Sequence, residues 1–156
     1  MAITPYLLYQ DAGAALTWLA KAFGLRKTGQ SFKDANGRVI HAEMALGDAV
    51  LMLGSPGPDF KNPKVLGQAT QNLYVDVDNV DQHHARATKA GAKIIEAPQD
   101  TSYGARRYGA EDPEGHLWYF AENLSERRPA KKKTARGKAT AGKKANVRGK
   151  KRSSRK

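Results

Sequence analysis

Apolar positions recur along residues 3–124 in two rhythms. Between Asp11 and Gly24, the residues Ala15, Leu16, Leu19, Ala20 and Phe23 fall on a 3.6-residue period, which predicts a helix with one buried face. Asp11 stands where an N-cap belongs and Gly24 stands just past the helix end. The stretch from Asp78 to Gly91 repeats this plan, with Asp78 at the cap position and a weaker stripe of Val80, His84, Ala87 and Gly91. The segments Ile3–Tyr9 and Leu73–Val77 before the two helices read as strands, and three more strand-like runs follow each helix. In the first half they are Leu25–Lys33, Arg38–Leu46 and Ala49–Leu53, with hairpin turns at Asp34-Ala35-Asn36-Gly37 and Gly47-Asp48. In the second half they are Lys93–Ala97, Arg106–Glu111 and His116–Glu122, with Asp112-Pro113-Glu114-Gly115 as the turn.

This is an internal repeat of a β-α-β-β-β unit, joined through a Pro/Gly-rich connector at Ser55–Gly67. The expected fold class is α+β: two βαβββ modules, each a four-stranded sheet with a helix on one face, forming a cupped cavity between the free faces. Alternation supports the assignment of faces. Leu73, Val75 and Val77 suit packing on a helix, while Asn72, Tyr74 and Asp76 form a face too polar for a dry core. Ile40, Ala42, Met44 and Leu46 oppose His41 and Glu43, and Trp118 and Phe120 oppose Leu117, Tyr119 and Ala121.

Charge divides the chain. Residues 1–126 carry twelve basic and fifteen acidic residues, a net −3, while residues 127–156 carry fifteen basic residues and no acid, a net +15. The high isoelectric point therefore belongs to the second segment. With no aromatic and one Val, residues 127–156 cannot bury enough to offset ordering entropy, and they read as a disordered basic tail beside a 1–126 domain. Their composition is similar to linker-histone-like tails and predicts non-specific nucleic-acid binding through phosphate contacts. The chain has no Cys, which excludes disulfides and thiolate chemistry. No apolar run is long enough to span a membrane, and the first residues lack the pattern of a signal peptide, so a cytoplasmic protein without membrane attachment is expected.

The duplication, with Asp112-Pro113-Glu114-Gly115-His116 leading into an aromatic strand, resembles the vicinal oxygen chelate (VOC) superfamily. Pro5-Tyr6-Leu7 and His41-Ala42-Glu43 are most similar to its glyoxalase/bleomycin resistance protein branch, and the likeness covers residues 3–124. Metal enzymes of that superfamily hold one divalent ion with His or Glu at four equivalent strand positions. The resemblance puts these on Thr4 or Pro5, on Leu51 or Met52, on Asn72 and on Tyr119. None is a His, Glu or Asp, so the expectation is no metal and no other cofactor. The resemblance also implies a homodimer whose cavities are completed between copies.

The function expected on these grounds is metal-free binding of a small aromatic or amphipathic molecule. The candidate ligand-binding residues are Tyr6, Asn72, Tyr74, Leu117, Tyr119 and Arg106, since Tyr offers area and a hydroxyl together. Arg106 and Arg107 are adjacent on a strand, so one faces inward, where it would attract an anionic group. Two alternatives stand beside this reading. One is a metal-dependent lyase, isomerase or dioxygenase using His41, Glu43, His116 or Glu122; the other is a nucleic-acid-associated protein acting through its basic tail. His83 and His84, about 100° apart on a helix, read as surface histidines.

Overall fold

The computed structural model describes residues 3–126; the expectation of a disordered tail at 127–156 lies outside them. The chain runs β1 (Tyr6–Leu8), α1 (Ala12–Phe23), β2 (Arg26–Lys33), β3 (Val39–Leu46), β4 (Ala49–Gly54), α2 (Pro63–Leu66), β5 (Asn72–Asp76), α3 (Val80–Lys89), β6 (Lys93–Asp100), β7 (Ala105–Glu111) and β8 (Leu117–Asn123). A single 3-10 turn at Leu124–Glu126 follows. Two four-stranded sheets result, ordered β1-β4-β3-β2 and β5-β8-β7-β6. Each is antiparallel except for one parallel pair, β1 with β4 and β5 with β8. This is the predicted α+β duplication of βαβββ modules.

Register makes the duplication quantitative. Tyr6 pairs with Met52 in the first sheet, and Tyr74 pairs with Tyr119 in the second. Counting on from Tyr6 reaches Asp11, whose side chain caps α1 by accepting from the Ala14 amide. The same count from Tyr74 reaches Asn79, not Asp78. Asn79 caps α3, its Oδ1 accepting from the Gln82 amide at 2.8 Å, which corrects the sequence assignment by one residue. Both residue types make good caps, so only the strand register decides between neighbours. The next amide is held by equivalent partners as well: Ala12 N donates to Ser55 Oγ at 3.0 Å, and Val80 N donates to Glu122 Oε2 at 2.7 Å.

One core unites the modules. Leu7, Ala42, Met44, Leu51 and Leu53 of the first sheet and Tyr108, Ala110, Trp118 and Phe120 of the second are buried with α1 and α3. Phe23, at the end of α1, crosses the boundary. Its ring lies 4.7 Å from Phe120 and 5.3 Å from Trp118, which face the helices as their alternation predicts. Polar links reinforce the junction: Tyr9 Oη donates to Asp112 at 2.7 Å, and Arg86 donates to the carbonyls of Ala20 and Lys21. Burial, with Asp112 beside it, holds the Tyr9 phenol well above its ordinary pKa.

Two segments depart from the sequence reading. The strand expected to stop at Ala97 runs on through Pro98 to Asp100. It is an edge strand with a register shift between Glu96 and Gln99, and both features accommodate a residue that lacks an N–H. The connector is also structured. Asn62, buried, caps α2 and donates to Gln10 and Glu114. Glu114 accepts from the backbone amides of Gln10 (2.7 Å) and Asp11 (2.9 Å), and its carbonyl accepts from the Lys64 amide. The Asp112–Gly115 turn is thus fastened to both the start of α1 and the connector.

Candidate functional site

Each sheet buries one face on the helices and leaves the other open. On the open face of the first sheet, Tyr6, Met52 and Glu43 follow one another across the strands. The Tyr6 hydroxyl lies 3.2 Å from the Ile40 carbonyl and 3.2 Å from His41 Nδ1. His41 Nε2 points toward Glu43, 3.9 Å away. Phe32 lies beside His41, and both Tyr6 and Phe32 are largely exposed. Gly54 makes this arrangement fit, because a Cβ there would strike the Ile40 carbonyl and come within 2.8 Å of Tyr6 Oη.

The open face of the second sheet carries a wall of tyrosines around an arginine. Tyr119 pairs with Gly109 on β7, where a Cβ would come within 2.9 Å of the ring. Glycine there lets the ring lie against the strand. The guanidinium of Arg107 sits 5.0 Å from the Tyr119 ring centroid. Arg107 is held there by a forked pair with Glu96 (2.9 and 3.1 Å), and it donates to Tyr103 Oη at 3.4 Å. The Arg107 hydrogen bonds hold the Glu96 carboxyl below its usual range. The neighbouring Tyr74 holds the Tyr103 phenol below its ordinary value, while burial, with Tyr103 beside it, raises Tyr74. Tyr74 and Tyr103 nevertheless expose 50% and 62% of their surface, so a flat molecule can reach them.

Alternation alone left open which arginine faces in. Arg106 lies on the helix side, where Asp81 of α3 (2.9 Å) and Asp100 (2.7 Å) neutralise it. Arg107 joins the tyrosines instead. The choice follows from Tyr108, which is buried in the core and so turns both of its neighbours toward the open face. Arg106 is therefore not at the wall formed by Tyr74 and Tyr119, contrary to its inclusion among the candidate ligand residues. Glu96 was missed because its role depends on pairing across β6 and β7, which local pattern does not contain.

The expected cavity is also differently lined. A pocket of about 560 Å³ lies at the seam between the modules, bordered by Thr4, Pro5, Leu51, Asn72 and Tyr74 among others. Of the candidate residues, Asn72 and Tyr74 border it. Tyr6, Leu117 and Tyr119 do not border it, because it runs along the edge strand β5 and touches side chains from both of its faces, including Leu73 and Val75.

Register settles the four metal-binding positions of the resemblance. Thr4 precedes Tyr6 as Asn72 precedes Tyr74, and Met52 corresponds to Tyr119. A hydroxyl, a thioether, an amide and a phenol offer no anionic oxygen or imidazole, so these residues do not fit a divalent transition metal. The alternative set does not converge either. His116 Nε2 is engaged with the Leu8 carbonyl at 3.0 Å, Glu122 holds the Val80 amide, and His41 and Glu43 stand on the first sheet. Among the described residues no group of three or more His, Asp or Glu could hold a metal.

His83 is not a surface histidine. Its Nε2 lies 2.8 Å from the Phe23 carbonyl, which can only accept, so Nε2 carries the hydrogen and Nδ1 accepts from Tyr108 Oη at 2.7 Å. Burial holds its pKa below the ordinary value. Helical geometry misled the sequence reading, because it describes a residue's own helix and not the module packed across from it.

Comparison with known proteins agrees with this fold. The family model of the Glyoxalase/Bleomycin resistance protein/Dioxygenase superfamily matches residues 3–120. TioX from Micromonospora sp. ML1 is 33% identical, with a TM-score of 0.65 over 80% of this chain and 99% of that one. The fosfomycin resistance protein FosX from Mesorhizobium loti shares the fold at 15% identity, with a TM-score of 0.58 over 81% of this chain and 96% of that one. An uncharacterized protein of Mycobacterium tuberculosis is 29% identical over 130 residues, which cover 80% of this chain and 76% of the relative. No helix among the described residues is long and apolar enough to cross a membrane. On the duplicated modules, their register and the family match, the chain belongs to the Glyoxalase/Bleomycin resistance protein/Dioxygenase superfamily.

Proposed function

We propose that this protein binds a small, flat aromatic or amphipathic molecule without a metal, against the Tyr74, Tyr103, Tyr119 and Arg107 wall of the second sheet. The observation that carries the reading is the Arg107–Tyr119 stack, fixed by Glu96 and made room for by Gly109. It presents a rigid aromatic surface, stacked on a guanidinium that Glu96 holds in place, and such a surface suits a planar ligand. Tyr6, Leu8 and Phe32 on the first sheet and Tyr74, Ile95 and Tyr103 on the second leave apolar surface open in the single chain. A homodimer that lays one copy's first sheet over the other's second sheet would cover both and enclose the ligand.

A thermal-shift panel of planar aromatic compounds, run with and without EDTA, tests the proposal. A binder raises the melting midpoint by mass action, EDTA leaves the shift unchanged, and Tyr119→Ala weakens binding about 10-fold, the loss of roughly 1.4 kcal/mol of stacking. Stoichiometric Zn, Ni, Mn or Fe in the purified protein, with a shift abolished by EDTA, overturns it.

A further inference from the structure

We propose that residues 127–156 form a nucleic-acid-binding arm that grips duplex phosphates by charge alone, carried on a body that does not bind them. The segment holds fifteen Lys and Arg and no acidic residue, interleaved mainly with Ala, Gly, Ser and Thr. At about 3.3 Å per residue its thirty residues reach at most about 100 Å, against one duplex phosphate per ~1.7 Å of axis.

The body explains why the contact belongs to the arm. Its net charge is −3. Four of the body's five guanidinium groups are already engaged: Arg38 by Asp34, Arg106 by Asp81 and Asp100, Arg107 by Glu96, and Arg86 by carbonyls at the end of α1; among the described residues Arg26 stands alone on the exposed start of β2. The described chain also ends at an acidic corner, where Asp76, Asp78, Glu122 and Glu126 border one hollow. That corner disfavours phosphate. The arm has no aromatic residue to stack on unpaired bases, which favours duplex over single-stranded readout, and phosphate contacts carry no sequence information. An anionic membrane would attract the same charge, but the arm has no aromatic or Leu, Ile or Phe side chain to bury in the acyl boundary.

The test is fluorescence anisotropy of the full chain with labelled duplexes of two unrelated sequences, from 50 to 200 mM KCl. If about six cations meet phosphates, log K falls against log salt with a slope near −5, about a 10³-fold loss across that range. The two duplexes bind within about threefold of each other. Replacing all fifteen Lys and Arg of 127–156 by Gln abolishes binding and leaves the melting midpoint unchanged. The same readout on a chain ending at Glu126 gives the same result. The proposal is overturned if either variant still binds duplex, if binding ignores salt, if one sequence is preferred more than about tenfold, or if phosphatidylserine vesicles bind more tightly than DNA at equal ionic strength. None of these outcomes bears on small-molecule binding at the tyrosine wall.

Discussion

Tyr6 opposite Met52 and Tyr74 opposite Tyr119 occupy the same place in two copies of one scaffold, yet their surroundings have diverged. The first module surrounds its tyrosine with His41, Glu43 and Phe32, and the second with Tyr103, Arg107 and Glu96. Beneath the strands the modules remain alike, with matching helix caps and a matching partner for the first helical amide. Duplication therefore preserved what positions side chains and varied what they present. Where the two copies still differ underneath, one pair of positions, Ser55 and Glu122, performs the same task with different chemistry.

The strongest way to break the comparison is to remove the side chain that belongs to both modules. Phe23→Ala deletes a fully buried ring that touches Trp118 and Phe120, and the expected loss is about 3–5 kcal/mol. Chemical denaturation checks this; a loss under about 1 kcal/mol would mean that the modules do not share a core. The unequal pair sharpens the comparison. Glu122→Ala removes a charged acceptor in the interior and should cost about 1.5–3 kcal/mol, while Ser55→Ala removes a neutral one for about 0.5–1.5 kcal/mol. Equal losses in parallel urea titrations would show the carboxylate to be no better a partner than the hydroxyl.

Gly109→Ala acts on one module only. It crowds the Tyr119 ring, Ile95 and the Cβ of Glu96, so it should weaken aromatic binding and cost about 1–3 kcal/mol of stability, because the Glu96 Cβ is fixed to its strand. Unchanged affinity with a lowered melting midpoint would separate the ring's position from binding. The smallest effect concerns pH. His83 is held neutral, with its pKa below the ordinary value near 6.5, so the unfolded chain takes up a proton that the native chain refuses. Its contribution is fully present above pH 6.5 and declines as pH falls below that value toward the lower folded pKa. His83→Gln should flatten the stability profile in that window, and a profile as steep as the parent's would assign the titration to another group.

Much of the scaffold was legible in the sequence because duplication makes each half a check on the other. The helices α1 and α3, the eight strands and the turn at Asp112–Gly115 follow from period and punctuation, whereas α2 in the connector does not. What escaped depends on partners distant in sequence. Asp78 and Asn79 are equally good caps, and only pairing with β8 selects Asn79. Pro98 breaks a strand by local rules, yet it is tolerated because β6 has no neighbour on its outer side. The sense of Arg106 and Arg107 was undecidable until Tyr108 fixed which face of β7 is buried.

The fastening of Glu114 bears on how two copies of this chain can associate. Exchange of modules between chains begins by opening the segment that joins them. Here that step strips the carboxylate of Glu114 from the Gln10 and Asp11 amides and from Asn62, and its carbonyl from the Lys64 amide. Gly115 packs so closely on Lys64 that an added Cβ would come within 2.6 Å of its amide nitrogen. A swapped assembly would forfeit all of these contacts unless it rebuilt them in trans. The hinge is latched shut, so the two modules of one chain can separate only by first breaking every one of these contacts.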